Sequence, residues 1–162
     1  MHLTESAIAA VEKVKNGKFP VHIVSVAQEH GIGVFGDPNY PNDGNGHIEL
    51  RPDRSLAIIV NIKQSPERQR FTIAHEIGHF FMDMDYLAEH KYIDRDGDAS
   101  DPSYRRRERR ANEFAASILM PEEAFIAQWI ALGDLQKVAD YFGVSKSSAQ
   151  VRAVILGLTK AD

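Results

Sequence analysis

Two histidines four residues apart are the side chains in this sequence best suited to bind a metal ion. They lie in the segment His75-Glu76-Ile77-Gly78-His79. In a helix, this spacing places both imidazole rings on one face, one turn apart, where both can reach a single ion. Glu76 flanks the pair and is placed to take a proton from an attacking water molecule, the role that this motif gives its glutamate. The motif predicts a hydrolase site built on one Zn2+ ion, with Gly78 leaving room for another backbone or a substrate.

A catalytic zinc site needs three protein ligands, so a third must come from outside the motif. The chain has no cysteine, and His90 is the only histidine after His79, without the spacing of the metzincin pattern. A carboxylate on the next long helix is the better candidate, and Glu108 and Glu113 both lie there. Glu108 is surrounded by five arginines at positions 105–110, a run typical of a solvated helix face. Position and composition leave the two glutamates as alternatives.

Two helices with clear start signals must hold these residues. Ser65-Pro66 is a capping residue followed by proline at the first helical position, which predicts a helix over residues 66–82. Asp101-Pro102 repeats this signal and predicts a second long helix over residues 102–119, ending before Pro121. The residues that could bind a metal therefore lie on two successive helices.

The rest of the chain alternates short helices and strands. We predict helices at 4–16 and 20–30, strands at 32–35, 47–50 and 56–62, a loop at 36–46, and three C-terminal helices at 121–131, 134–142 and 145–158. The strand at 56–62 is apolar on both faces and is expected inside the sheet, whereas the strand at 47–50 alternates and is expected nearer an edge.

Composition and charge exclude several classes of protein. The 162 residues are 43% hydrophobic and 26% charged, which is ordinary globular usage. No apolar run approaches the roughly 20 residues of a membrane span, and the N-terminus lacks the pattern of a secretion signal, so a cytoplasmic protein is expected. The formal net charge is −4, whereas nucleic-acid binders are usually basic. The helix-turn-helix character of residues 135–158 is therefore not expected to bind DNA, since its second helix offers only Lys146 and Arg152 as charges.

Three segments together carry a resemblance to a known family. They are residues 70–80 (RFTIAHEIGHF), residues 108–121 (ERRANEFAASILMP), and residues 138–145 (VADYFGVS) with Arg152 and Leu156-Gly157. These segments span nearly the whole chain and resemble the ImmA/IrrE metallopeptidases. The paired first and second segments are far more specific than the histidine motif alone.

The resemblance implies a gluzincin site, in which two helical histidines and a glutamate from the following helix bind zinc. In thermolysin-like gluzincins, the ligand glutamate is followed four residues later by a carboxylate that orients a ligand histidine. Glu108 has Asn112 at that offset, and Glu113 has Ser117, which fits less well. Glu108 is thus the expected ligand, Asn112 its neutral orienting partner, and Glu113 the alternative. A neutral asparagine leaves the histidine less basic than an aspartate would.

The resemblance also sets the expected architecture. The fold class is α+β, with a small, mostly antiparallel sheet packed on a helical zincin core and a C-terminal helical, helix-turn-helix-like segment. Residues 1–120 are expected to form the metallopeptidase domain, and residues 121–162 to pack on it. An extended substrate peptide is expected to add along an exposed strand edge, for which we choose residues 47–50.

Several residues are weaker candidates. Tyr104 lies one turn before Glu108 and is a candidate donor to the reaction oxyanion, although an aromatic residue there more often packs in the core. Tyr86, His90 and Tyr92 follow the zinc helix and are weaker still. The acidic loop at 94–98 fails the calcium-loop pattern, because its glycine is two positions early and Arg105 stands where the glutamate belongs.

The resemblance implies a zinc-dependent endopeptidase that cuts a specific regulatory protein. The expected substrate is a helix-turn-helix transcriptional repressor, cut in a bacterial stress or mobile-element response. The alternative is a non-catalytic zinc-containing module that binds or sequesters a transcriptional regulator. Neither function requires direct nucleic-acid binding or a membrane.

Overall fold

The computed structural model describes residues 3–93 and 97–160. The acidic-loop residues 94–96 lie outside this range. The helices are α1 (Glu5–Val14), α2 (Ile23–Glu29), α3 (Pro66–Met82), α4 (Met84–His90), α5 (Pro102–Leu119), α6 (Glu122–Leu132), α7 (Leu135–Phe142) and α8 (Lys146–Ile155). The strands are β1 (Ile32–Asp37), β2 (Gly46–Leu50), β3 (Leu56–Asn61) and β4 (Tyr92–Ile93).

The two long helices begin and end where the sequence predicts. The Ser65 hydroxyl accepts a hydrogen bond from the Arg68 N–H at the start of α3. The Asp101 carboxylate accepts one from the Ser103 N–H at the start of α5. These caps satisfy backbone donors that have no partner within a helix, which explains why local sequence fixes both starts.

The sheet is mixed, with strand order β1-β3-β2-β4. β1 pairs with β3 in parallel, whereas β2 pairs antiparallel with both β3 and β4. β3 lies inside the sheet as predicted, and Ala57, Ile58 and Val60 are buried. The α+β fold with a mostly antiparallel sheet is therefore confirmed.

The expectation that residues 47–50 form a sheet edge is wrong. In β2, Ile48 pairs with Ile93 and Glu49 with Tyr92, and the Leu50 N–H donates to the Lys91 carbonyl at 2.7 Å. The left-handed backbone of Lys91 (φ 68°) turns the chain out of α4 and into β4. A two-residue strand added after a helix leaves no recognisable pattern in sequence.

Helix α4 was also not predicted from the sequence. Its seven residues are MDYLAEH, and of these only Leu87 is buried. A single buried position in two turns gives too weak a periodicity to separate a helix from a polar loop. The helix matters for the site because it begins directly after Asp83 at the end of α3.

Helices α3 and α5 approach closely at Gly78. A Cβ atom on Gly78 would lie 3.1 Å from Ala111 Cα and 3.2 Å from the Ala111 carbonyl oxygen. Glycine therefore lets the α5 backbone lie against the histidine motif, and the Phe114 Cβ would lie 3.3 Å from the added Cβ atom. The room beside the histidines is occupied by the backbone of α5.

Two substitutions at Gly78 are expected to change the free energy of unfolding by very different amounts. In Gly78→Ala, the better helix propensity of alanine offsets part of the close contact, so the free energy of unfolding should change little. In Gly78→Val, the added methyl groups have no space between the helices, and a loss of about 1–3 kcal/mol is expected. Urea denaturation of the metal-free variants measures both, and equal losses would contradict the close-approach argument.

The C-terminal helices share the core of the rest of the chain. Phe125, Val138, Phe142, Ala149 and Ala153 are fully buried and belong to the same hydrophobic cluster as the helices and strands before them. Two buried or half-buried arginines also join the C-terminal helices to the preceding elements. Arg70 on α3 donates its Nε to the Gly143 carbonyl at 3.0 Å, and Arg152 on α8 donates its Nε to the Met120 carbonyl at 3.1 Å. The division of the chain at residue 120 stays a prediction.

Candidate metal centre

Helix α3 presents His75 and His79 to α5 in the buried interior. Both side chains are almost fully buried, at 1% and 0% exposure. Their Nε2 atoms lie 3.0 Å apart. Glu108 on α5 completes the group, with Oε2 3.3 Å from His75 Nε2 and Oε1 3.1 Å from His79 Nε2. Three possible ligand atoms from two helices thus converge on one point.

The donor set fits a zinc ion. Two histidine nitrogens and one carboxylate are a common catalytic zinc ligand set. Zinc ligands at 2.0–2.1 Å in tetrahedral geometry lie about 3.3 Å from one another. Here the two histidine nitrogens lie 3.0 Å apart, and each lies 3.1–3.3 Å from one oxygen of the Glu108 carboxylate. Glu113 is not a member of any possible metal cluster in the part of the chain that the structure describes.

Each histidine is oriented through its other ring nitrogen. His75 Nδ1 lies 2.8 Å from Asn112 Oδ1, and His79 Nδ1 lies 2.8 Å from Asp83 Oδ2. Both partner atoms are acceptors, so each Nδ1 carries the donated hydrogen and each Nε2 has a free lone pair in the neutral ring. When both rings are neutral, two lone pairs and a carboxylate face one another and repel, so this point attracts a cation, either a proton or a metal ion.

In the metal-free site, the pKa of His79 is raised and the pKa of Glu108 is lowered. Burial would lower the pKa of His79, but hydrogen bonds to Asp83 and Glu108 and the charges of Glu76 and Glu108 outweigh it and raise that pKa to about 9. Burial would raise the pKa of Glu108, but the hydrogen bonds and charges of the two histidines outweigh it and hold this pKa well below its usual range. The site therefore attracts positive charge, as a metal site must.

The sequence matches a family model over most of its length. The model, described as the IrrE N-terminal-like domain of a peptidase family, matches residues 27–154. The chain belongs to this family. A search among curated proteins found no match to the sequence.

A solved structure shares the fold of this IrrE-like chain. It is described as a Mycobacterium tuberculosis transcriptional regulator and superimposes with a TM-score of 0.63 at 20% sequence identity. The match covers 94% of this chain and 48% of that one, so this chain spans about half the length of that protein. At this identity the likeness shows the fold alone.

Glu76 and Tyr104, the two residues expected to take part in catalysis, lie in different surroundings. Glu76 is fully buried on α3, between the two histidines in sequence, and its charge contributes to the raised pKa of His79. Tyr104 is half-buried, and its ring packs against Gly97, where a Cβ atom would collide with it. The role of Tyr104 as an oxyanion donor stays a prediction.

The weaker candidates form a stack beside α5. The rings of Tyr86 and His90 stack at 4.0 Å, and the Arg107 guanidinium lies 4.0 Å from the centre of the Tyr86 ring. His90 also contacts the Tyr86 carbonyl through Nδ1, and it is not among the clustered metal ligands. The side chain of Tyr92 lies outside the described residues.

The sequence reasoning missed Asp83 and its partner Arg110. Asp83 is four residues after His79, the same one-turn spacing that pointed to Asn112 after Glu108. Applying that rule to the end of α3 as well as to α5 would have identified it. Arg110, whose Nη2 lies 2.6 Å from Asp83 Oδ1, was indistinguishable from its neighbours in the arginine run.

Zinc affinity in this IrrE-like domain is expected to depend on pH through His79. Because the pKa of His79 is about 9 without metal, zinc must displace a proton below that pH. The apparent Kd for zinc should therefore fall about tenfold per pH unit between about pH 6.5 and 8. Chelator competition across this range measures it, and a pH-independent Kd would contradict the prediction.

The same shift makes the metal-free fold sensitive to alkali. A raised folded-state pKa adds stability that is fully present below the unfolded value of 6.5 and is lost as the pH rises through about 9. The metal-free protein should thus lose stability over that interval, whereas the zinc-loaded protein should not. Thermal melts of the metal-free and zinc-loaded forms at about pH 6.5 and about pH 9 test this difference in stability.

Proposed function

We propose that this chain is a zinc-dependent endopeptidase that hydrolyses peptide bonds in a specific regulatory protein. The observation that carries the proposal is the buried convergence of His75, His79 and Glu108 beside the buried Glu76. Membership of a peptidase family supports the reaction class, and the two histidines and one carboxylate support zinc as the metal.

In this proposal, His75, His79 and Glu108 hold the ion, and Asn112 orients His75 through its Nδ1–H. When bound, zinc would acidify a water molecule and polarise the scissile carbonyl. Glu76 takes the proton of the attacking water and then delivers it to the leaving amine. Its burial strengthens its electrostatic interactions, because the surroundings exclude bulk water. Tyr104 is the proposed extra donor to the oxyanion.

A regulatory protein is the proposed substrate class, with a helix-turn-helix repressor as the specific candidate, in a bacterial stress or mobile-element response. The resemblance to ImmA/IrrE metallopeptidases is the main support. A protein that shares the fold is described as a transcriptional regulator, which supports a link to regulation. In this proposal the chain acts in the cytoplasm. No helix in the described ranges is long and apolar enough to cross a membrane.

The C-terminal segment 121–162 is proposed to pack on the peptidase part and not to bind DNA. Of the two charges on α8, Arg152 is 6% exposed and holds the Met120 carbonyl, so it is not available to phosphates. The exposed side of α8 carries Val151 and Ile155, which have no charge to offer a nucleic acid. DNA affinity with a steep salt dependence would contradict this assignment.

The test is direct cleavage of a candidate repressor, best chosen as one encoded beside the gene for this chain. Zinc-loaded protein should cut it at one or a few bonds, a chelator should stop cleavage, and added zinc should restore it. Intact repressor under all conditions would contradict the proposal. Tight binding of the uncut repressor would instead favour the non-catalytic module that sequesters a regulator.

A further inference from the structure

The two histidines of the metal centre are oriented by chemically different partners. Asn112, the partner of His75, is a neutral amide on an exposed residue. Asp83, the partner of His79, is a carboxylate whose side chain is 2% exposed. A carboxylate partner makes an imidazole a stronger metal ligand than a neutral acceptor does. The site is therefore asymmetric around its metal position.

Asp83 occupies the N-cap position of α4, but its side chain does not cap that helix. It is the C-cap of α3 and the N-cap of α4, and an aspartate at an N-cap usually accepts a backbone N–H of the new helix. Here its side chain makes no cap hydrogen bond. The two carboxylate oxygens are instead divided between His79 and Arg110.

Arg110 has the position and the contact needed to hold Asp83 in place. Its Nη2 lies 2.6 Å from Asp83 Oδ1, while Asp83 Oδ2 lies 2.8 Å from His79 Nδ1. When His79 binds the metal its ring is neutral, and the guanidinium then compensates a carboxylate that would otherwise be a buried, unpaired charge, an arrangement with a large desolvation cost. It also leaves only one oxygen for the histidine, which fixes the ring orientation.

From these contacts we infer that Asp83 and Arg110 form a positioning pair that aims His79 at the metal ion and sets how tightly the site holds it. Helix α5 then determines the position of all three ligands. It carries Glu108 itself and Asn112, which orients His75. It also carries Arg110, which orients His79 by holding Asp83. The inference rests on the proposed metal centre and not on the identity of any substrate.

The decisive variants are Asp83→Asn, Arg110→Met and the double variant. In Asp83→Asn, the amide can offer its oxygen to His79 only by turning its NH2 group toward Arg110, which is also a donor. This conflict disturbs His79, and zinc affinity should fall about 10–100-fold. In Asp83→Asn/Arg110→Met, the opposing donor is gone, so the amide can hold His79 as Asn112 holds His75. The double variant should recover part of the lost affinity.

The readouts are the Kd for Zn2+ by chelator competition and the visible absorption spectrum of the Co2+-loaded protein, which reports ligand geometry. Arg109→Met is the matched control, because Arg109 is an exposed neighbour in the same arginine run, and it should leave both readouts as in the wild type. Arg110→Met alone should weaken zinc binding, and it decides the question if Asp83→Asn does not fold.

Three results would overturn the inference. The first is a wild-type Kd and Co2+ spectrum in Asp83→Asn together with lower stability of its metal-free form, since the pair would then be merely structural. The second is an equal effect of Arg109→Met and Arg110→Met, since overall charge would then explain both. The third is a wild-type chain that binds neither ion, which would overturn the metal centre as well. If the variants show the expected zinc affinities but the zinc-loaded wild type cuts no repressor, the positioning pair stands and only the proposed peptidase function is overturned.

Discussion

The Glu76→Gln variant is expected to lose peptidase activity while keeping its zinc. Glutamine has the shape of glutamate but cannot take a proton from the attacking water, and loss of a general base lowers kcat by about 10²–10⁴-fold. Glu76 is not among the clustered ligands, so the zinc content should stay at one ion per chain. Although the residue is fully buried, the two side chains have the same shape, so the packing of α3 should stay intact.

The measurement is kcat/KM on a fluorogenic peptide spanning the cleaved bond, with metal content determined on the same preparation. Glu67→Gln is the matched control, since it removes the same charge from the first turn of the same helix and should remain active. Full activity in Glu76→Gln would show that another group takes the proton. Loss of zinc from Glu76→Gln would mean that its inactivity says nothing about proton transfer.

The Glu108→Ala and Glu113→Ala variants should differ sharply in zinc affinity. One ligand of a zinc site whose binding free energy is about 10–16 kcal/mol contributes roughly 3 kcal/mol or more, which corresponds to at least about a hundredfold in Kd. Glu108 faces both histidines, whereas Glu113 lies outside the cluster. Glu108→Ala should therefore lose zinc, and Glu113→Ala should bind it as the wild type does.

Chelator competition with both variants gives the comparison, and far-UV circular dichroism shows whether each remains folded. The reverse order of affinities would make Glu113 the ligand and would mean that α5 turns or shifts when metal binds. Equal losses in both variants would indicate that the helix, and not a particular carboxylate, is what zinc binding requires.

Local sequence was sufficient where the determining contacts are also local. Ser65-Pro66 and Asp101-Pro102 place cap and proline next to the first turn that they stabilise, so α3 and α5 could be delimited without any tertiary information. The four-residue spacing of His75 and His79 guarantees a shared helix face in the same way. Two of the three clustered ligand residues therefore followed from spacing alone.

The features that the sequence did not reveal depend on contacts between distant residues. β4 covers β2 through pairings some 45 residues apart along the chain, Ile48 with Ile93 among them, and two residues carry no strand pattern of their own. Asp83 and Arg110 are 27 positions apart, and nothing in the arginine run distinguishes the arginine that contacts Asp83 from the other four.

The histidine motif, the two helices that carry the site, and the family were thus determined by the sequence itself, because capping, helical spacing and signature segments act over a few residues. Position and composition left Glu108 and Glu113 as alternatives, and only the resemblance favoured Glu108; what brings Glu108 to the histidines is a tertiary contact. Gly78 lets α5 lie against α3, and that contact sets which side chains of α5 face His75 and His79. The difference between Glu108 and Glu113 is one of helix face and register, which the packing of two helices fixes and the local sequence of either one does not.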